Sequence, residues 1–409
     1  ARVLGPEGLG WYTLALYFPE LAALVLNLGF SFANVYLVGS GRVTDREAFA
    51  ASMGSALVLA AAGAVVYFIA LPWLQPSVLK GLPWGLALVA TLALPLGLMT
   101  NHADSFFQLQ ERFKELGLVK VAQRVLGLAA VLALVAGLKL EAWGAVAGYL
   151  LAGWAALGLL LVRLSGTMRL GVGLPWAVLK NQLTFGLKGH LGLIMNYLNY
   201  RLDVLLVAYF LTPREVGLYT LATVVAEVLW QGANAAQTAL YPHITKTAEG
   251  NAVTLEVLTG VVGLTVLGGL GLLVLGRPLM VWCFSAAFGE SYPVIVLLLP
   301  GIVAFCYAKV LVSHLVGRGK AWAITAGAAA GLPLTVGLNV LLIPHFGIKG
   351  AAIASSLSYT ASSLVLAGMF LRSSGVTARE LLGTMNPRNW WEWGMALIRQ
   401  RQGVTDNVT

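Results

Sequence analysis

Residues 211–241, LTPREVGLYTLATVVAEVLWQGANAAQTALY, read as a membrane helix with one polar face. Glu227, Gln231, Asn234, Thr238 and Tyr241 recur at steps of four and three, which places them on one stripe of a helix. The stretch has a partner 207 residues earlier. At that offset Leu4 meets Leu211, Pro6 meets Pro213 and Gly10 meets Gly217. Tyr12, Thr13, Leu14 and Ala15 meet Tyr219, Thr220, Leu221 and Ala222, and Glu20 meets Glu227, all without a gap. Asn27 then meets Asn234, Ser31 meets Thr238 and Asn34 meets Tyr241, so the polar stripe is repeated as well. Shared apolar letters would be weak evidence among membrane helices. A proline, glycine, tyrosine and glutamate kept in one register are not, and they indicate an internal duplication about half the chain long.

Composition sets the solvent. Hydrophobic residues make up 58% and charged residues 11%, with a mean hydropathy of +0.82. A soluble domain carries roughly 25% charge, so this chain cannot cover itself with polar surface and belongs in a bilayer. The net charge of +9 then reports topology rather than nucleic-acid binding. Cys283 and Cys306 have no metal or redox spacing. No charged segment precedes an apolar core at the start, as a signal peptide would require.

Roughly 20 apolar residues cross a membrane as a helix, and eleven stretches qualify. They are A, Leu9–Leu37; B, Ala51–Leu74; C, Leu82–Gln108; D, Leu116–Leu138; E, Trp143–Leu164; F, Gly189–Leu211; G, Val216–His243; H, Val253–Leu275; I, Val294–Val316; J, Ala321–Leu342; and K, Ala351–Leu371. The basic residues alternate between the connections. The A–B, C–D, E–F, G–H and I–J connections and the tail hold seventeen, against six in the other set. The rule that basic loops stay inside makes the first set cytoplasmic and the C-terminus with it. The chain is therefore expected to lie in the plasma (inner) membrane as a multi-pass protein.

Spans A and G are six apart and enter from the same side, so the halves are parallel repeats about an axis along the membrane normal. The fold expected is all-α and integral to the membrane, with two pseudo-twofold six-helix lobes around a central cavity. Residues 1–164 form an N-terminal lobe of five visible helices, and twelve spans in all are expected because the partner of F would precede Ala1. Residues 165–188 form a basic connection, interspersed with Trp176, Leu179 and Phe185, expected on the inner membrane surface. Residues 189–372 form the C-terminal lobe, and 373–409 a cytoplasmic tail whose Trp390, Trp391 and Trp393 read as an interfacial anchor. The patch Glu141–Ala147 answers Ile348–Ala354, where small residues allow close helix packing. Pro19, Pro95, Pro300 and Pro333 lie inside spans, where kinks are expected.

Ionisable groups in hydrocarbon cost about 2.5–3.5 kcal/mol each and need partners or water. Glu20 and Glu227 fall about 17 Å into A and G, and Arg201 and Asp203 fall near the middle of F. Asp104, Arg124 and Lys309 lie nearer the inner leaflet, with Asn27, Asn196, Asn199, Tyr200, Gln231 and Asn234 completing the polar set. One reading of each charge is structural: Arg201 satisfies Glu227, or a neutral glutamate bonds across helices. The number of such groups together favours a polar substrate cavity between the halves. No enzyme constellation is present, since GxSxG, HExxH, CxxC and Walker spacings are all missing.

Several segments resemble polysaccharide and O-antigen flippases of the multidrug/oligosaccharidyl-lipid/polysaccharide (MOP) export superfamily. These are Ala1–Tyr12, Asn199-Tyr-Arg-Leu-Asp203, Val216-Gly-Leu-Tyr219 with Pro242, Gly317-Arg-Gly-Lys320, Asn339–Pro344 and Gly347–Ile353. The resemblance spans about residues 1–370 and lacks the family's first helix. It implies a polyprenyl-pyrophosphate-linked oligosaccharide as substrate, moved from the inner to the outer leaflet by alternating access. On that reading Arg201, Lys309 and Arg124 meet the pyrophosphate. Asn196, Asn199, Tyr200, Gln231, Asn234 and Tyr241 meet the sugars. Asp203, Glu227 or Glu20 would carry a coupling proton or Na+, with no other cofactor and no bound metal. Partners would be the lipid-linked oligosaccharide, membrane lipids and polysaccharide polymerase or assembly proteins, with no nucleic acid. A cation-coupled multidrug or metabolite exporter of the same fold, and a non-transporting envelope scaffold, remain the alternatives.

Overall fold

The computed structural model describes residues 1–246, 250–320 and 322–395, and only the backbone of 188–189, 241–243 and 245–246. Every regular element among the described residues is helical. In chain order they are α1 (Gly5–Leu26), α2 (Phe30–Gly39), α3 (Asp45–Ser77), α4 (Trp84–Ala90), α5 (Ala93–Leu109), α6 (Phe113–Val131) and α7 (Glu141–Ser165). Then come α8 (Trp176–Phe210), α9 (Pro213–Glu227), α10 (Gln231–Lys246), α11 (Gly250–Leu279), α12 (Ser291–Gly317), α13 (Trp322–Ser374) and the short α14 (Ala378–Gly383). Nine stretches among the described residues are long and apolar enough to cross a membrane. The difference from eleven is one of division. Spans J and K fall within α13, whose backbone leaves helical geometry at Gly347 with φ of 58°. Span F falls within α8, whose Asn196, Asn199, Arg201 and Asp203 dilute its apolar length.

The chain divides into two compact units. The first comprises Ala1–Ile194 with Leu211–Gly217, and the second Met195–Phe210 with Leu218–Thr409. In the first unit α5 packs on α1, α2, α3 and α7. Its core includes Ala23, Ala56, Ala60, Leu94 and Leu98, and small residues there let helices approach closely. In the second unit α12 packs on α10, α11 and α13. Ser356 and Ser363 of α13 donate to the carbonyls of Leu297 and Ala304 on α12, at 2.5 and 2.6 Å. Such bonds tie helices together where hydrocarbon offers no competing partner.

The interruptions fall elsewhere than most of the prolines predict. α1 runs through Pro19, α12 through Pro300 and α13 through Pro333. Span A instead breaks after Asn27, where Leu28 and Gly29 take φ of 49° and 76°. A side chain on Gly29 would collide with the backbone of Gly186 on α8, and one on Gly186 with Leu28 and Gly29, so the break is fixed by a close crossing. Span C does break at its proline: α4 ends at Ala90 and α5 begins at Ala93. Pro95 has no N–H for the Thr91 carbonyl four residues back, and Leu94 N–H donates to that carbonyl instead, at 3.0 Å. Span G tightens into a 3₁₀ turn at Val228–Trp230.

The later part of the 165–188 connection is helical, since α8 starts at Trp176 and continues to Phe210. Gln182 on that early part is fully buried and donates to Asn34 Oδ1 (2.7 Å), Ser52 Oγ (3.2 Å) and the Ala48 carbonyl (3.2 Å). Phe185 stacks on Tyr36 with ring centroids 4.1 Å apart. A buried amide held by three acceptors fixes the helix to α2 and α3. In the tail, Trp390 and Trp393 lie against Gly263 and Gly260 of α11, and only Trp391 stands exposed. Gly144 fits against Leu134, and Gly350 against Leu342, so the two small-residue patches do pack their helices closely.

Gly10 on α1 and Gly217 on α9 cross within the first unit. A side chain on Gly10 would strike the Pro213 carbonyl, and one on Gly217 the Pro6 carbonyl. The contacts are reciprocal between duplicated residues, as a local twofold relation requires. Gly10→Ala and Gly217→Ala should each lower stability by roughly 1–3 kcal/mol through forced separation of two backbones. Gly158→Ala, in α7 with open space around it, should leave the thermal midpoint of detergent-purified protein unchanged or slightly raised. Equal midpoints for all three variants would contradict the crossing.

Candidate functional site

The second unit gathers the polar residues of α8. Asn196, Asn199, Tyr200 and Asp203 are spaced by three and four and share a face, whereas Arg201 points to another. Arg201 Nη2 lies 3.2 Å from Glu227 Oε2, with side chains 34% and 14% exposed. The pair is thus partly open rather than sealed. The structural reading of Arg201 as the mate of Glu227 is what the geometry shows.

Asp203 is only 2% exposed and fully engaged. Its Oδ2 accepts from Tyr219 Oη at 2.6 Å and Ser355 Oγ at 3.0 Å, and its Oδ1 accepts from the Val204 N–H at 2.8 Å. One turn earlier on α8, Asn199 Oδ1 accepts from Thr335 Oγ1 at 3.4 Å, and Asn339 Nδ2 donates to the Thr335 carbonyl at 2.7 Å. Asn339 Oδ1 is buried with no partner. A fully buried amide oxygen left unpaired is costly, so this cluster of oxygens on α8 and α13 has an acceptor to spare. α13 comes this close because Gly331 has no side chain, and a Cβ there would meet Ser362 and Asn199.

Lys309 on α12 has its ammonium over three rings, those of Phe305, Trp230 and Tyr200, at 4.8, 5.2 and 5.5 Å from their centroids. Tyr200 Oη donates to Asn196 Oδ1 at 2.8 Å. Gln231 and Asn234 bond to one another at 3.3 Å, and Thr238 donates to the Asn234 carbonyl. The 3₁₀ turn at Val228–Trp230 changes the phase between Glu227 and these residues, so the stripe is not one straight row. The Tyr241 side chain lies outside those described.

In the first unit the equivalent positions diverge. Glu20 is exposed on α1 and accepts from Tyr149 Oη of α7 at 2.7 Å. Tyr12 lies near enough to both, and Arg124 near enough to Tyr12 and Tyr149, to interact electrostatically. Asp104 of α5 pairs with Lys120 of α6 at 2.7 Å. Asn27 caps the end of α1 and bonds to Ser31. Asn34 is fully buried in the core with Ser52, Ser105 and Gln182. The repeated stripe therefore ends at Glu20: the break after Asn27 turns α2 so that Asn34 faces the core.

The sequence reading missed Tyr219, Ser355, Thr335 and Asn339 around Asp203, Trp230 and Phe305 around Lys309, and Tyr149 on Glu20. Tyr219 carried a signal, being one of the residues kept in the repeat. The serines and aromatics looked like ordinary packing residues. Among the described residues no three His, Cys, Asp or Glu side chains cluster as a metal site.

The geometry yields a check. Tyr219→Phe removes one of three bonds to a buried carboxylate and should cost about 1–3 kcal/mol. Ser355→Ala should cost less, because its bond is longer. Thermal unfolding of the purified variants would expose the error if Tyr219→Phe matched the wild type.

The family profile described as "Polysaccharide biosynthesis protein" matches residues 1–267. A search of curated protein sequences gave no match. Among solved structures, "Lipid II flippase MurJ, inward closed conformation" superposes with a TM-score of 0.77 at 12% identity, covering 93% of this chain and 84% of that one. An inward-facing multidrug resistance MATE family transporter of the MOP superfamily gives 0.71 at 15% identity, covering 91% and 92%. A mutant of the Vibrio cholerae MATE transporter VcmN gives 0.57 at 16%, covering 91% and 96%. At these identities the likeness is one of fold.

Proposed function

The chain is a multi-pass membrane protein of the polysaccharide biosynthesis protein family, with a MOP-superfamily fold, and from that premise we propose that it flips a polyprenyl-pyrophosphate-linked oligosaccharide from the inner to the outer leaflet. The observation that carries the reading is the half-open Arg201–Glu227 pair. A guanidinium at mid-span, held by a carboxylate and partly accessible, can turn its fork to a pyrophosphate when that ligand arrives. Asn196, Tyr200, Gln231 and Asn234 lie in the same unit and supply the amide and hydroxyl groups that sugars need. The solved flippase of similar fold is named for a lipid-linked substrate, which agrees with this class. Alternating access moves the substrate across, the tail after α13 faces the cytoplasm, and no bond is made or broken.

Coupling is assigned to Asp203. Asp203 and, one turn before it, Asn199 offer oxygens on α8, as Thr335 and the orphan Asn339 do on α13, and oxygen donors suit Na+ better than a soft metal. A proton on Asp203 would serve the same end. Na+ here would supply only charge, whose arrival or departure changes the balance of the α8–α13 packing. A second reading, an exporter of organic cations, draws on the MATE-like fold and on the exposed Glu20.

The test is a lipid-linked oligosaccharide assay in cells lacking the gene. Accumulation of cytoplasm-facing lipid-linked glycan, cleared by the wild-type protein, is the expected result. Arg201→Ala should reduce clearance at least tenfold at equal protein amount, and Arg201→Lys should restore part of it. Sensitivity to cationic dyes without glycan accumulation would instead establish the second reading.

A further inference from the structure

The box around Lys309 has a chemistry of its own. Phe305 and Lys309 are one turn apart on α12, and Trp230 and Tyr200 supply two more faces. Tyr359 of α13 closes the box, 4.9 Å from Phe305 and 6.4 Å from Trp230 between centroids. Trp230, Phe305 and Tyr359 are 7%, 5% and 4% exposed, whereas Lys309 is half-buried, so the place it fills is reached from outside the box. Among the described residues no carboxylate lies within ion-pair distance of its ammonium; Glu227, an acid near enough to act on it, is paired with Arg201.

The rings also hold one another. Tyr200 meets Phe305 edge-on at 5.1 Å, Trp230 meets Phe305 at 5.3 Å, and Tyr200 is anchored through its hydroxyl to Asn196. Several aromatic faces turned toward one point form the recognition site for alkylammonium groups, since each face carries negative quadrupole charge. A box of this kind placed in a membrane fold would take up lipophilic cations unless something filled it.

We propose that Lys309 is a tethered cation that occupies an alkylammonium-binding box and excludes free organic cations from it. It is a specificity residue acting by occupancy. The inference stands apart from the transported lipid, because it concerns equilibrium binding of small cations to the purified protein.

The experiment is calorimetric titration of the full chain in detergent with choline, and with its uncharged isostere 3,3-dimethyl-1-butanol. Lys309→Ala and Lys309→Ser should bind choline about tenfold or more tightly than wild type, the scale of a desolvated cation–π contact. Lys309→Arg should bind as weakly as wild type, because the tether still carries a cation. Adding Trp230→Ala to Lys309→Ala should abolish the gain, and the uncharged isostere should show no gain in any variant. Equal choline binding in wild type and Lys309→Ala, or a gain indifferent to Trp230, overturns the proposal. So does failure of both Lys309→Ala and Lys309→Ser to fold, since the rings would then need the lysine.

Discussion

Two backbones in van der Waals contact at Gly10 and Gly217 set the frame for the first unit. Neither position tolerates a Cβ, because each would enter the carbonyl of the proline at the start of the other helix. The approach brings the start of α9 into the first unit although most of α9 belongs to the second. α8 likewise starts in the first unit, anchored by Gln182, and ends in the second. Two helices therefore link the units covalently on either side of Thr212. α8 carries Arg201 and Asp203, and α9 ends at Glu227, all within the second unit.

Charge in the second unit is handled in three ways, each with a physical reason. Asp203 is sealed and satisfied by a tyrosine, a serine and a backbone N–H, as a carboxylate excluded from water must be. Arg201 and Glu227 neutralise one another while keeping an accessible side. Lys309 is stabilised by ring faces rather than by an anion. A sealed acid, a partly open pair and a caged cation are three different arrangements of charge within one unit.

Much of this was legible in the residues. The fixed offset linking Pro6, Gly10, Tyr12 and Glu20 to Pro213, Gly217, Tyr219 and Glu227 revealed the duplication, and two of those pairs meet at the crossing. The Arg201–Glu227 pairing was legible as a charge argument, since two opposite charges at similar depth have few other partners. Pro95 marks a break, whereas Pro19, Pro300 and Pro333, which lack the same N–H, lie inside continuous helices. Asn34 was misread: its spacing matches the stripe, but the backbone turn at Leu28 and Gly29 lies between, and helical phase does not survive such a turn. The box around Lys309 was invisible, because Trp230, Phe305 and Tyr359 lie on three separate segments and each alone is an apolar residue among many.

The sequence by itself determined the solvent, the helical class, the duplication and which spans carry ionisable residues. Those follow from composition, period and local chemistry, which need only neighbours along the chain. The tertiary structure alone decided which oxygen faces Asp203, what surrounds Lys309 and where the helices break under packing. These depend on approach between helices far apart in sequence. That approach is set by missing side chains at positions such as Gly10, Gly186, Gly217 and Gly331, and a glycine in the sequence does not say what it lets in.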